Sequence, residues 1–316
     1  MSQNTIIVFG ATGIQGGSVA KAILTDPATA HQFHVRAVTR DPSKAAAVGL
    51  ADLGAEIIQA DMEDKDSLRA ALQGADAVFL VTNFMETLDH VAETRQGMNV
   101  ADICKETGVK HLIWSSLPHV EKISNGKYNA AVHFDSKAHV DEHIRSIGVP
   151  HTIVHVGTYM KFLVESLEPL SSNPPVYGFT WPQPVTLNTE IPLIDPAADV
   201  GKFIKAILLN REEHLGRQLK LAERYYTVRE FIEVAKANGV DIKFQALEKE
   251  SFKARLAAQG LPGFFQEDMA QVIQFAAEYG FWGGKGFEEE HKLVKEPLTS
   301  LEESLRSSVI FAGLKG

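Results

Sequence analysis

The first 157 residues alternate strictly between two kinds of segment. TIIVFG, FHVRAVTR, AEIIQAD, DAVFLVTN, VKHLIWSS and HTIVHVG are short apolar runs. Between them lie stretches of helical pattern: GGSVAKAILTD, SKAAAVGLADLG, KDSLRAALQGA, the segment from Thr87 to Thr107, and the one containing HFDSKAHVDEH. Near-continuous apolar strands are buried on both faces, and a helix between successive strands brings each back parallel to the last. The alternation therefore predicts an α/β fold, a doubly wound parallel sheet covered by helices.

After Gly157 the rhythm breaks. Pro and Gly cluster in SSNPPVYGFTWPQP, and helices and strands then follow without strict alternation. We read residues 1–157 as one domain and 158–316 as a smaller, mixed α/β lobe over the carboxyl edge of the sheet, with later segments rejoining the first domain. Two helix starts in the lobe read as capping boxes, Thr227 with Glu230 and Thr299 with Glu302. Tyr177, Phe179, Trp181, Phe264, Phe265, Phe281 and Trp282 supply aromatic mass for a small core. The glycine-rich GFWGGKGFEEEH reads as a mobile loop near the mouth of the lobe.

Composition limits the partners. Lys plus Arg number 31 against 40 Asp plus Glu, a net charge of −9, with no basic tail. Phosphate-backbone binding needs the opposite balance, so direct nucleic-acid binding is not expected. No apolar run approaches the roughly 18 residues of a membrane span. The single cysteine, Cys104, sits in a helical pattern and reads as a small buried hydrophobe. With no internal disulfide available and no leader pattern, the expected location is the cytoplasm, with access to the nucleus.

The loop GATGIQGG joins the first strand to the first helix and contains Gly10, Gly13 and Gly16. In that context the three glycines allow a tight turn, a close backbone approach to a pyrophosphate and close helix–strand packing. The N–H groups of Thr12 to Gly16, Ile14 and Gln15 among them, then face phosphate oxygens. Where a NAD site carries an acid after the second strand, this chain has Arg40, followed by Lys44. A guanidinium pairs with a 2′-phosphate that a carboxylate would repel, so the expected cofactor is NADP(H). Asp61 and Met62 after the third strand are expected to flank the adenine, and Thr82, Asn83 and Phe84 after the fourth to line the ribose.

GATGIQGG, Arg40, VFLVTN, IWSS and a helix carrying HFDSK together resemble the NmrA-like branch of the atypical short-chain dehydrogenase/reductases, and within it the redox-sensing proteins, over nearly the whole chain. The wider superfamily carries YxxxK on this helix, a phenol that handles the proton and a lysine that binds the nicotinamide ribose. Here His133 occupies the tyrosine place and Lys137 the lysine place, with Ser115 and Ser116 near the usual position of the carbonyl-polarising serine. Gly157, Tyr159 and Phe162 follow the sixth strand, where the resemblance puts the nicotinamide end of the pocket; His155 and Val156 depart from the Arg-Pro turn found there in relatives. The resemblance implies an NADPH/NADP+ sensor that engages a transcription factor or signalling protein, with little or no dehydrogenase activity. Its alternative is an NADPH-dependent reductase of a quinone, enone or aldehyde, using Lys137 and His133, since an imidazole shuttles protons near neutrality. His139 and His143, with Asp135 or Glu142, have a spacing zinc can use, but lack a third ligand fixed by local spacing, and no metal is expected. Asp141 and Glu142 read as solubilising acids.

Overall fold

The computed structural model describes residues 3–172, 175–284, 286–308 and 310. Its first six strands are β1 (Asn4–Val8), β2 (Phe33–Thr39), β3 (Glu56–Gln59), β4 (Ala77–Leu80), β5 (His111–Ser116) and β6 (His151–Val156). Beyond them lie β7 (Thr158–Tyr159), β8 (Leu167–Ser172), β9 (Pro175–Pro182), β10 (Glu190–Ile194), β11 (Gln218–Leu221), β12 (Arg224–Thr227) and β13 (Asp241–Leu247). The central sheet has the order β11-β6-β5-β4-β1-β2-β3, and every neighbouring pair is parallel. This is the doubly wound Rossmann arrangement, in which the direction of winding reverses between β1 and β4. The reversal opens a crevice at the carboxyl ends of those strands.

Alternate residues of β1 serve opposite faces. Ile6 and Val8 enter a core with the helices Ile14–Thr25 and Pro196–Leu209, while Ile7 and the following Phe9 enter one with Lys65–Leu72, His90–Glu106 and Val132–Ile147. Because both faces are covered, β4 and β5 are buried along their whole length. Cys104 is fully buried in the second of these cores, where desolvation raises its thiol pKa. The helix Pro196–Leu209 lies so close to Ile14–Thr25 that a Cβ on Gly201 would sit 2.3 Å from the Ser18 carbonyl oxygen. That helix and β11 both belong to the central sheet layer although they follow residue 157.

The second lobe holds two three-stranded sheets, β12-β10-β7 and β13-β9-β8, around a core that includes Phe179, Trp181 and Phe231. An aromatic cluster of Phe134, Phe275, Phe281, Trp282 and Phe287 bridges the lobes. The glycine-rich stretch expected to be a mobile loop thus contributes three buried aromatic rings; its Lys285 lies outside the described residues.

Two local expectations need correction. The helix expected from Thr87 to Thr107 is broken: Phe84–Thr87 ends at Leu88 in the left-handed region (φ 52°), and Asp89 caps a new helix, His90–Glu106. The later capping box is Ser300 with Glu303, because buried Asp199 accepts bonds from the Thr299 N–H and hydroxyl and moves the helix start on by one residue. The Thr227–Glu230 box forms as expected. Among the described residues no helix is long and apolar enough to cross a membrane.

Candidate functional site

Gly10 and Gly16 shape the loop after β1. Gly10 has φ +62°, a region that other residues rarely adopt, and a Cβ on Gly16 would sit 2.3 Å from the Gly10 carbonyl oxygen. Gly13 is the N-cap of Ile14–Thr25 and has no side chain to close it, so the first-turn N–H groups of a twelve-residue helix receive no side-chain cap. Ile14 is 44% exposed beside them, while Gln15 is buried. This is a cradle of backbone donors that suits a pyrophosphate.

Arg40 follows β2 in the open, 57% exposed, and pairs with the Glu86 carboxylate. The neighbouring Asp41 accepts hydrogen bonds from the Ser43 side chain and backbone, which hold its pKa below the ordinary value. Lys44, also exposed, is the N-cap of the helix Ala45–Asp52. Asp61 binds the Glu63 N–H at 2.9 Å, and the Met62 carbonyl accepts from Asn99 at 2.9 Å. Asn83 is exposed at the start of the helix Phe84–Thr87, and Phe84 is buried.

Lys137 lies in a tight network. Its ammonium is 2.8 Å from Glu93 Oε1, 2.7 Å from Thr82 Oγ1, 3.2 Å from the Thr82 carbonyl and 5.3 Å from the centre of the Trp114 ring. Ser136 donates to the other oxygen of Glu93 at 2.5 Å. Burial alone would raise the Glu93 pKa, but the Lys137 charge and the hydrogen bonds from Lys137, Ser136 and Thr82 outweigh it and hold it low. An ammonium has three protons, and three acceptors surround this one. Sequence reasoning missed Glu93. The signal was there, because Glu93, Gly97, Val100, Ala101 and Cys104 share the buried face of one helix and an acid is out of place on it.

One turn earlier, the His133 ring donates through Nδ1 to Asp268, which also accepts the His133 backbone N–H at 3.1 Å. Asp268 is fully buried on the second-lobe helix Gly263–Tyr279. The imidazole packs among Phe84, Phe134 and Phe265, with ring centres 5.8, 4.8 and 6.2 Å away. Its side chain is 19% exposed, and Nε2 has no hydrogen-bond partner among the described residues. Asp268 was also missed, and no local pattern marks it, because its partner lies 135 residues away.

Ser115, at the end of β5, donates to Gln15 Oε1 at 2.6 Å, and Gln15 Nε2 donates to the Tyr159 hydroxyl at 2.6 Å. Burial raises the Tyr159 pKa, opposed in part by the Gln15 hydrogen bond. Tyr159 thus joins the glycine loop, whereas Phe162 packs on the second-lobe core. Gly157 lies where strands crowd together: a Cβ there would be 2.7 Å from the Pro192 carbonyl oxygen.

The remaining polar groups of HFDSKAHVDEH separate. His143 bonds Asp102 at 2.7 Å, Glu142 pairs with Lys122 at 3.0 Å, and the His139 ring meets His119 edge-on. Asp135 accepts from the Val120 N–H at 2.6 Å. Asp141 is not a solubilising acid; it is buried, accepting the Trp114 indole N–H at 2.7 Å and facing His155 at 3.3 Å. Among the described residues no group of three metal-ligating side chains converges.

The model of the NmrA-like family matches residues 2–305. An NmrA-like family domain-containing oxidoreductase of Penicillium ochrochloron is 30% identical over 291 residues, covering 88% of this chain and 84% of its own. Among solved structures, the negative transcriptional regulator NmrA in complex with NADP superposes with a TM-score of 0.77 at 20% identity, covering 99% of this chain and 96% of that one. An NADPH-dependent quinone oxidoreductase of Escherichia coli, complexed with NADPH, gives 0.74 at 24% identity, covering 96% and 98%.

Proposed function

The chain belongs to the NmrA-like family, and from that premise we propose that it is an NADP(H)-dependent reductase of small conjugated carbonyl compounds such as quinones, enones or aldehydes. NADP(H) lies along the carboxyl edge of the sheet. Its pyrophosphate meets the uncapped first turn after Gly13, its 2′-phosphate meets Arg40 and Lys44, its adenine lies by Asp61 and Met62, and its adenosine ribose by Thr82 and Asn83. For the phosphate to reach Arg40, the guanidinium leaves Glu86; an exposed pair is worth about 1 kcal/mol or less, so the exchange is cheap. Lys137 reaches the nicotinamide ribose by exchanging its longest contact, the Thr82 carbonyl at 3.2 Å, while Glu93 and the Thr82 hydroxyl keep the ammonium in place. The bound cofactor supplies hydride, and Tyr159 borders the nicotinamide end.

The observation that carries this reading is His133 Nε2. This nitrogen can take up and give a proton, has no hydrogen-bond partner among the described residues, and lies one helical turn from Lys137, in a helix position where the wider superfamily keeps its acid. Ser115 takes no part in this reading, because its proton is given to Gln15. The test is stopped-flow oxidation of bound NADPH against a panel of quinones, enones and aldehydes. Turnover above about 1 s⁻¹, abolished by Lys137→Ala, supports it; NADPH that binds and is never oxidised defeats it.

A second reading, an NADPH/NADP+ sensor that engages a transcription factor or signalling protein, is favoured by the short helix Phe84–Thr87. Glu86 pairs with Arg40 at one side of it, and Phe84 packs on His133 and Phe265 at the other. A phosphate that draws Arg40 away is therefore felt at the second lobe; NADPH and NADP+ both carry that phosphate, so the relay reports that the cofactor is bound, and telling the redox forms apart falls to the nicotinamide end of the site. For this reading, a partner pull-down changes with the redox form of the cofactor while no acceptor is reduced.

A further inference from the structure

We infer that Asp268, on the second lobe, is the positioning residue of the proton-transfer step, and that docking of that lobe is what makes His133 an acid. The inference rests on the reductase reading above and extends it to a residue outside the nucleotide-binding half.

A carboxylate that is fully buried needs a cation or several donors, or it loses its charge. Asp268 receives two donors, and both come from one residue, the backbone N–H and the Nδ1–H of His133. The two contacts fix the ring in position and in tautomer. When the imidazole is neutral, its proton stays on Nδ1 and the lone pair is on Nε2; when it is charged, the second proton sits on Nε2, the nitrogen without a partner. Three phenyl rings, of Phe84, Phe134 and Phe265, pack against the imidazole and restrict its rotation. Phe264, next to Phe265, is 48% exposed, so the wall continues outward as an apolar surface suited to a flat conjugated acceptor.

The step balances as follows. For an enone or aldehyde, bound reduced nicotinamide would supply hydride from C4, forming a C–H bond at the acceptor carbon; a quinone would instead end as a hydroquinone, with both hydrogens on oxygen. The displaced electron pair moves to the acceptor oxygen, which takes the proton from His133 Nε2. NADPH is oxidised to NADP+, the acceptor gains two electrons and one carbon-bound hydrogen, and the proton on Nε2 is replaced from solvent. Asp268 takes no proton in the step; its two oxygens keep their bonds to the His133 backbone N–H and to Nδ1–H.

Asp268→Asn separates this role from a structural one. The amide keeps an oxygen for the His133 backbone N–H, but presents N–H to Nδ1, so the neutral ring moves its proton to Nε2 and loses the anion facing its charged form. The expected kinetic result is a fall in kcat on the order of tenfold to a hundredfold, with the KM for NADPH unchanged. Nitrogen-15 NMR of histidine-labelled protein reads the same change without turnover: the parent protein shows neutral His133 protonated on Nδ1, and Asp268→Asn shows it protonated on Nε2. Should Asp268→Asn not fold, the parent spectrum decides, and a ring protonated on Nε2 overturns the inference. A parent enzyme that turns over while Asp268→Asn keeps its kcat also overturns it and leaves the reductase reading standing. A parent that binds NADPH and reduces nothing overturns both.

Discussion

The Arg40 end of the site and the His133 end are built on different principles. At the Arg40 end the groups are exposed and joined in a pair that a ligand can replace; Arg40 is 57% and Glu86 41% exposed. At the His133 end the acids are sealed, Glu93 at 1% and Asp268 at 0%. The first arrangement leaves both groups open to solvent, where a pair exchanges easily. The second holds its geometry before anything arrives, which proton transfer requires, and substitutions there carry a stability cost.

The largest test of that contrast is Glu93→Leu. It leaves the Lys137 ammonium buried without its anion, so chemical denaturation should show a loss of about 3–5 kcal/mol, and a loss below 1 kcal/mol would mean that the network is looser than its distances. Gly16→Ala follows. Its Cβ must displace the Gly10 carbonyl, at a cost of about 1–3 kcal/mol, and calorimetry should find nucleotide binding lost in protein that still folds.

Arg40→Asp should leave the melting temperature nearly unchanged and weaken NADPH far more than NADH, roughly ten- to a hundredfold, since a hydrogen bond to a charged group is worth about 1.5–3 kcal/mol. Equal losses for both nucleotides would remove Arg40 from the 2′-phosphate. Lys44→Ala should show the same preference at a few-fold, as expected of an exposed cation with no fixed partner.

A control lies at the start of β5, away from both ends of the site. His111 is buried, and burial first, with nearby Arg211, His214 and His151, lowers its pKa from 6.5 to about 3. The unfolded chain therefore binds a proton between about pH 6.5 and pH 3 that the folded protein does not. Stability should fall as pH drops through that window, by up to about 1.4 kcal/mol per pH unit, and His111→Gln should flatten the dependence without altering NADPH affinity.

Much of the fold was legible in the chain because its signals are local. β-branched runs spaced by helices specify a parallel sheet, and a glycine loop between strand and helix specifies a turn that other residues cannot make. The candidate nucleotide side chains were legible for the same reason, since the winding of the sheet sends the ends of β1 to β4 to one edge. The helix break at Leu88 and the displaced cap at Ser300 were not: the break is a local stop at which Asp89 caps a new helix within a segment read as one continuous helix, and the cap moved because Asp199 binds Thr299 across 100 residues. Asp141 was misread for a related reason. Its spacing put it among polar residues, and only the packing of the helix against β5 brought Trp114 to it.

By itself, then, the sequence determined the order of strands and helices, the turn at Gly10 and the row of residues at the carboxyl edge, all through periodicity and backbone sterics acting over a few residues. Tertiary structure alone decided that Lys137 meets Glu93 and that His133 meets Asp268. A side chain's spacing tells which face of an element it occupies. What it bonds to is set when two elements close together and exclude water, because only then does an unpaired charge become too costly to leave alone.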